Sequence, residues 1–163
     1  MSREQAILRH QFADYLNCGT ADNPDWQLMG YGFTAINETF GASTESTKYV
    51  NDKAESTDVV SYSSQFPFTA HMIKSEAAIQ ALYNVGRNHV TGEGTIFEYI
   101  RVELWDATET ANTFKARKFE VSAEVSEISG DNKQELSGNL NGRGDPIDGT
   151  FNTTTKTFTA TAA

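Results

Sequence analysis

The chain has one cysteine, Cys18, in 163 residues, so no internal disulfide can form. Stability must come from a packed core, and such sparing use of thiols fits folding in a reducing cytoplasm. With Asn17 and Gly19 beside it and no local base, Cys18 reads as a small filler rather than a nucleophile. Basic residues are also scarce, with 13 Lys and Arg against 22 Asp and Glu and a formal charge of −9. That deficit argues against ordinary nucleic-acid binding, where cations must neutralise phosphates. It fits a soluble surface, or one that repels polyanions. No apolar run approaches membrane-spanning length, and residues 1–5 contain no hydrophobic stretch of a secretion signal. The N-x-T triplets at Asn37 and Asn152 therefore read as chance matches.

Patterns of catalysis are equally thin. His10, His71 and His89 are scattered without ligand spacing, and Asp22, Asp25 and Asp131 do not form a calcium loop. Glu120 and Glu124 lie four apart on an exposed strand face, an unsuitable place for acid–base tuning. Arg143-Gly144-Asp145 spells an adhesion tripeptide but reads as a turn, followed as it is by Pro146. The glycines match no phosphate-binding fingerprint. The expectation is a protein that is not an enzyme and carries no cofactor or metal.

What the sequence does have is strand periodicity. Its length suits one domain with a self-sufficient core. Residues 1–25 read as an N-terminal arm or short helix, with Ala6, Ile7, Phe12, Tyr15 and Leu16 at helical spacing. Residues 26–163 read as the main domain. Within it, Met29, Tyr31, Phe33 and Ala35 alternate with Leu28, Gly30, Gly32 and Thr34 along an expected strand over 26–36. Residues 41–58 are polar apart from Tyr49 and Val50, and read as a long mobile loop of functional type. A long strand is expected from Val60 to Met72, with an edge or bulge at Pro67.

Residues 76–85 carry the one internal helix, capped by Ser75 and closed by Gly86, with Ala78, Ile79, Leu82 and Tyr83 as its apolar stripe. Strands follow over 96–105 and 118–126, the latter placing Glu120, Ser122 and Glu124 on one face, and another around Leu136 and Leu140. Phe151 and Phe158 bracket a β-branched run expected to be extended. About seven strands and one helix make a mainly β, α+β chain dominated by antiparallel sheet.

Several short motifs resemble those of the tail tube proteins (major tail proteins) of long-tailed phages of Gram-positive bacteria. They are Gly30-Tyr31-Gly32-Phe33-Thr34 leading to Glu38, Lys48-Tyr49-Val50-Asn51-Asp52-Lys53, the aromatic stretch 65–70, and Val102-Glu103-Leu104-Trp105-Asp106. The closing Gly144-Asp145-Pro146, Gly149-Thr150-Phe151 and Thr157-Phe158 complete the set, which spans about residues 26–159. The resemblance implies an antiparallel β-sandwich or barrel with one flanking helix; with the match reaching residue 159 of 163, the extra immunoglobulin-like C-terminal domain of some relatives is expected to be absent. It also implies hexameric rings that stack into a hollow tail tube, assembled in the host cytoplasm and carried in the virion. DNA would pass through the lumen without specific binding. Partners would be other copies of the chain, the tape measure protein, and distal tail and terminator proteins, with no membrane.

On that basis Thr44, Lys48, Tyr49, Val50, Asn51, Asp52, Lys53 and Glu55 are expected in a ring-stacking loop. Glu120, Ser122 and Glu124 are expected to face the lumen, and Met29, Tyr31 and Phe33 to lie on an intersubunit strand. Two other readings remain open: the tube of a contractile machine such as an R-type bacteriocin or type VI apparatus, and a carbohydrate-binding β-sandwich using Trp26, Trp105 or Tyr99 as a stacking platform.

Overall fold

A computed structural model describes residues 4–161. A short 3-10 turn at Arg9–Gln11 leads into β1 (Phe12–Asn17), and β2 (Trp26–Leu28) and β3 (Phe33–Ile36) follow. Strands β4 (Ser43–Thr47) and β5 (Ser56–Ser61) form a separate hairpin, before β6 (Gln65–His71) and helix α1 (Ala77–Arg87). The chain ends with β7 (Ile96–Ala107), β8 (Thr113–Ser129), β9 (Glu135–Gly142), β10 (Ile147–Asn152) and β11 (Thr157–Ala160). The main sheet runs β2-β1-β7-β8-β9-β6-β3, with the β10–β11 hairpin branching from β8. Every pairing in it is antiparallel.

β8 is the spine. One of its edges takes β7, and the other takes β10 along residues 113–118 and then β9 along 121–129. Because the sheet forks here, β1, β7 and the first half of β8 are buried on both faces. One face joins Leu16, Tyr99, Phe119 and Val121 to Phe66, Phe68, Leu136 and Leu140. Phe66 lies between Tyr99 and Phe119, with centroids 4.6 and 4.8 Å away. The opposite face packs Ala13, Tyr15, Ile100, Val102 and Ala116 beneath Trp26 and Phe151.

Helix α1 closes the first core with Ala78 and Leu82, and its buried stripe is Ala78, Ile79, Leu82 and Val85, with Val85 in the place expected for Tyr83, which is only partly buried. Its N-cap is Glu76 rather than Ser75, without a side-chain capping bond. Gly86 is inside the helix, not after it. A Cβ there would stand 3.0 Å from Val125 Cγ1, so the missing side chain lets the helix lie close on β8.

The structure departs from the sequence pattern in four other places. Phe12, Tyr15 and Leu16 lie in β1, not in a helix, because both faces of this strand are covered and no alternation marks it. The expected strand over 26–36 is two strands separated by a turn at Tyr31 and Gly32, where Gly32 has φ +93°. The expected strand from Val60 breaks at residues 62–64, leaving Val60 and Tyr62 exposed. The β-branched run after Phe151 turns at residues 153–156 to form the β10–β11 hairpin.

Candidate assembly surfaces

Strands β3, β6, β9 and the second half of β8 form a four-stranded region with one apolar and one polar face. The register places Ser122 opposite Asn141 and Asn141 opposite Gln65, and it aligns Glu124, Asn139 and Pro67 in the next row. Alternation turns Phe66, Phe68, Leu136 and Leu140 inward, so the amides, hydroxyls and carboxylates share the outer face. Glu120 joins this face and is paired with Arg143 of the same chain. Across β7, Glu98 stands directly opposite Glu120, a repulsive arrangement relieved by Lys118 Nζ at 3.2 Å from Glu98. The face is acidic and polar, with its few cations engaged in pairs.

Both margins of this region lack a strand partner among the described residues. β3 pairs only with β6, and beyond Ser122 the β7 side of β8 carries no strand. The successive antiparallel pairings make β8 run opposite to β3. Free strand edges are adhesive, and folded proteins normally cover them.

The β4–β5 hairpin leaves the sheet between β3 and β6. All its strand residues are exposed, and among the described residues it pairs with no other strand. It replaces the mobile loop expected at 41–58. Thr44 pairs with Val59, while Lys48 to Lys53 form the tip and Glu55 precedes β5. At the tip, Asp52 accepts from the Tyr49 backbone N–H at 3.1 Å and donates its own to Tyr49 O at 3.0 Å. This local turn leaves Tyr49 70% and Val50 102% exposed.

A largely buried charge network that sequence reasoning missed ties down the segment between β3 and the hairpin through Glu38. Glu38 accepts two bonds from Arg117, each 2.8 Å, and stands 3.5 Å from Arg101 Nε. Arg101 Nη1 donates to Asp14 at 3.2 Å, and Arg9 Nη2 donates to the other Asp14 oxygen at 2.6 Å and to Ile36 O at 3.2 Å. Tyr99 donates its hydroxyl to Asp14. Burial, then the Asp14 charge, drives the Tyr99 hydroxyl well above its usual pKa, keeping it a donor. Burial alone would lower the Arg101 pKa, but contacts with Tyr99, Asp14 and Glu38 raise it.

Asp14 is 2% exposed and Arg101 5%, so neither charge can be rehydrated if its partner is removed. Asp14→Ala is expected to cost about 3–5 kcal/mol of unfolding free energy, read by urea denaturation, because buried Arg101 and Tyr99 both lose their hydrogen-bond acceptor and only Glu38, at 3.5 Å, is left beside Arg101. A cost below about 1 kcal/mol would show the pair to be surface-like.

The remaining residues singled out by sequence separate clearly. Met29 is 3% exposed in the chain's own core, and Phe33 packs edge-on against Phe68, so of the set expected on an intersubunit strand only Tyr31 is a free ring. Trp26 and Tyr99 are buried, which removes two of three rings from a carbohydrate platform; Trp105 is 42% exposed and leans on Phe12. Cys18 is half-buried, and burial, then Asp25, pushes its thiol up to about 11. Among the described residues no group of three or more His, Cys, Asp or Glu could hold a metal ion.

No family model matches the chain, and no curated protein matches it in sequence. Solved structures do share its fold. The SPP1 tail tube, determined by solid-state NMR and cryo-EM, superposes with TM-score 0.64 and 14% identity over 88% of this chain and 78% of that one. A chain of the native gene transfer agent virion gives 0.59 and 10% over 95% and 100%. One from the six-fold symmetrised anti-feeding prophage baseplate gives 0.52 and 6% over 90% and 97%.

Proposed function

We propose that this chain is a structural tail tube subunit that assembles with copies of itself into hexameric rings, stacked to form the hollow tube of a virion tail. The carrying observation is the four-stranded region with free edges running in opposite directions. Rotation about an axis roughly parallel to the strands keeps every strand's up or down sense. The β3 of one copy then meets the β8 of the next antiparallel, and the alternation continues around the ring. Such a head-to-tail contact closes when the rotation permits. The six-fold symmetry named for structures of similar fold supports the ring number.

In that ring the polar face lines the bore and the apolar face points outward into each subunit's core. Carboxylates such as Glu124 repel phosphates within a Debye length of about 8 Å, so DNA passes without sticking. The bore also accommodates the tape measure protein during assembly in the host cytoplasm, and the tube ends meet distal tail and terminator proteins. The β4–β5 hairpin lies at one end of the sheet and reaches the next ring. Its strand of five residues spans about 17 Å, enough to overlap a neighbour whose β6 spans about 23 Å.

The fold shared with the anti-feeding prophage baseplate chain supports a second reading, a tube inside a contractile machine. Electron microscopy of concentrated protein tests the main proposal: hollow tubes of uniform diameter are expected, and persistent monomers at high concentration would refute it. Co-purification with a sheath protein would favour the second reading.

A further inference from the structure

Tyr31 is 72% exposed, yet its backbone is firmly held. Phe33 N–H donates to Gly30 O at 3.0 Å, and His71 N–H donates to Gly32 O at 2.8 Å. Gly32 lies so close to Ile73 and Ile79 that a Cβ would come within 2.8 Å of both side chains. A fixed backbone presenting an exposed aromatic ring lowers the entropy cost of binding. Tyrosine also suits a contact that is apolar within and polar at its rim.

A groove of about 290 Å³ lies between α1 and the end of β8, walled by Tyr83, Val125, Ile128 and Leu136, with Gly86 also lining it. Arg87 and Glu127 supply its polar rim. It flanks the free edge of β8. In the sheet, Phe33 pairs with Ala70, Ala70 with Leu136, and Leu136 with Ile128, so all four share one end of the four-stranded region. A rotation that sets β3 beside a neighbour's β8 preserves that end. It therefore carries Tyr31, in the turn that enters β3 beside Ile73 and Ile79, to the groove. The hairpin tip starts from the opposite end, which in a head-to-tail stack faces this end of the next ring, so the tip of a stacked neighbour is the competing occupant of the groove.

We infer that Tyr31 of each protomer seats in the α1–β8 groove of its ring neighbour, a contact that rests on the ring reading above and names the residues that key it. The ring stacks on Val125 and Ile128, and the phenol oxygen meets the rim of Arg87 and Glu127.

Paired cysteines test this in a Cys18→Ala background. After assembly and oxidation, Tyr31→Cys with Ile128→Cys should give a ladder of covalent oligomers ending at the closed ring. Tyr49→Cys with Ile128→Cys should remain monomeric on a denaturing gel. The reverse pattern would assign the groove to the hairpin tip and overturn this inference while leaving ring stacking intact. Tubes with neither crosslink would overturn it as well. Independently, Tyr31→Phe should assemble, whereas Tyr31→Lys should remain a folded monomer by circular dichroism with at least tenfold less tube. Normal tubes from Tyr31→Lys contradict the inference; failure of the unmodified chain to assemble contradicts the ring itself.

Discussion

Replacing residues 42–62 with Gly-Gly is expected to yield a folded chain that closes into single rings at most and forms no tubes. The excision is structurally feasible because the ends of the hairpin already meet: Ser63 N–H donates to Phe40 O at 3.0 Å and to Gly41 O at 3.1 Å. Gly41 has φ +63°, and a two-glycine link suits a tight hairpin turn. No side chain of β4 or β5 is buried, so the core loses nothing. An isolated two-stranded hairpin is marginally stable and adds little by itself. The thermal midpoint should move by no more than about 4 °C, the shift expected for roughly 1 kcal/mol in a domain of this size. Tube yield by sedimentation should fall to background. Normal tubes from the deletion would remove the hairpin from any role in stacking.

The second large effect concerns the bore. Substituting lysine for Ser122 and Glu124 alters two outer-face positions without touching the inward-facing Val121 and Ala123. One unit of charge at Ser122 and two at Glu124 move the formal charge from −9 to −6 per protomer. Repeated around rings and along a tube, this changes a repelling wall into an attractive one. Tubes should still form, and they should retain DNA at about 50 mM salt but lose it steeply as salt rises, as counterion release requires. Unmodified tubes should retain none at about 50 mM salt or above. Equal DNA retention by both would place these residues away from the lumen.

The sequence was most legible where an element has one covered and one open face. β9 shows this through Leu136 and Leu140, buried on a strand whose Ser137, Asn139 and Asn141 are only partly covered. α1 is similarly readable from Ala78, Ile79 and Leu82, while Val85 rather than the expected Tyr83 completes its buried stripe. β1 gives no such signal, because Ala13 and Tyr15 enter one core while Leu16 enters the other. Burial on both sides erases alternation, and the spacing of its apolar residues then imitates a helix.

The β4–β5 hairpin is obscured for the opposite reason. Neither face is buried within the protomer, so Ser and Thr replace the apolar residues that would mark it, and only their β-propensity remains. The charge network escaped because Asp14, Glu38, Arg101 and Arg117 are far apart in sequence. Strand register brings them together, with Asp14 opposite Arg101 and Arg101 opposite Arg117. Its one local trace was Arg101 between Ile100 and Val102, a charge set within an apolar strand. The expected lumen residues, in contrast, could be placed on a common face from period-two alternation alone.

Self-closure of the four-stranded region is the claim on which the stacking hairpin, the acidic bore and the Tyr31 contact all depend. A cryo-EM reconstruction of assembled tubes tests it most directly. The account predicts one unbroken antiparallel barrel in which residues 33–36 of each subunit hydrogen-bond to residues 123–129 of the next, with Glu124 and Asn139 facing the bore. Tubes whose subunits meet through other strands, or whose bore is lined by the opposite face of this sheet, would contradict it.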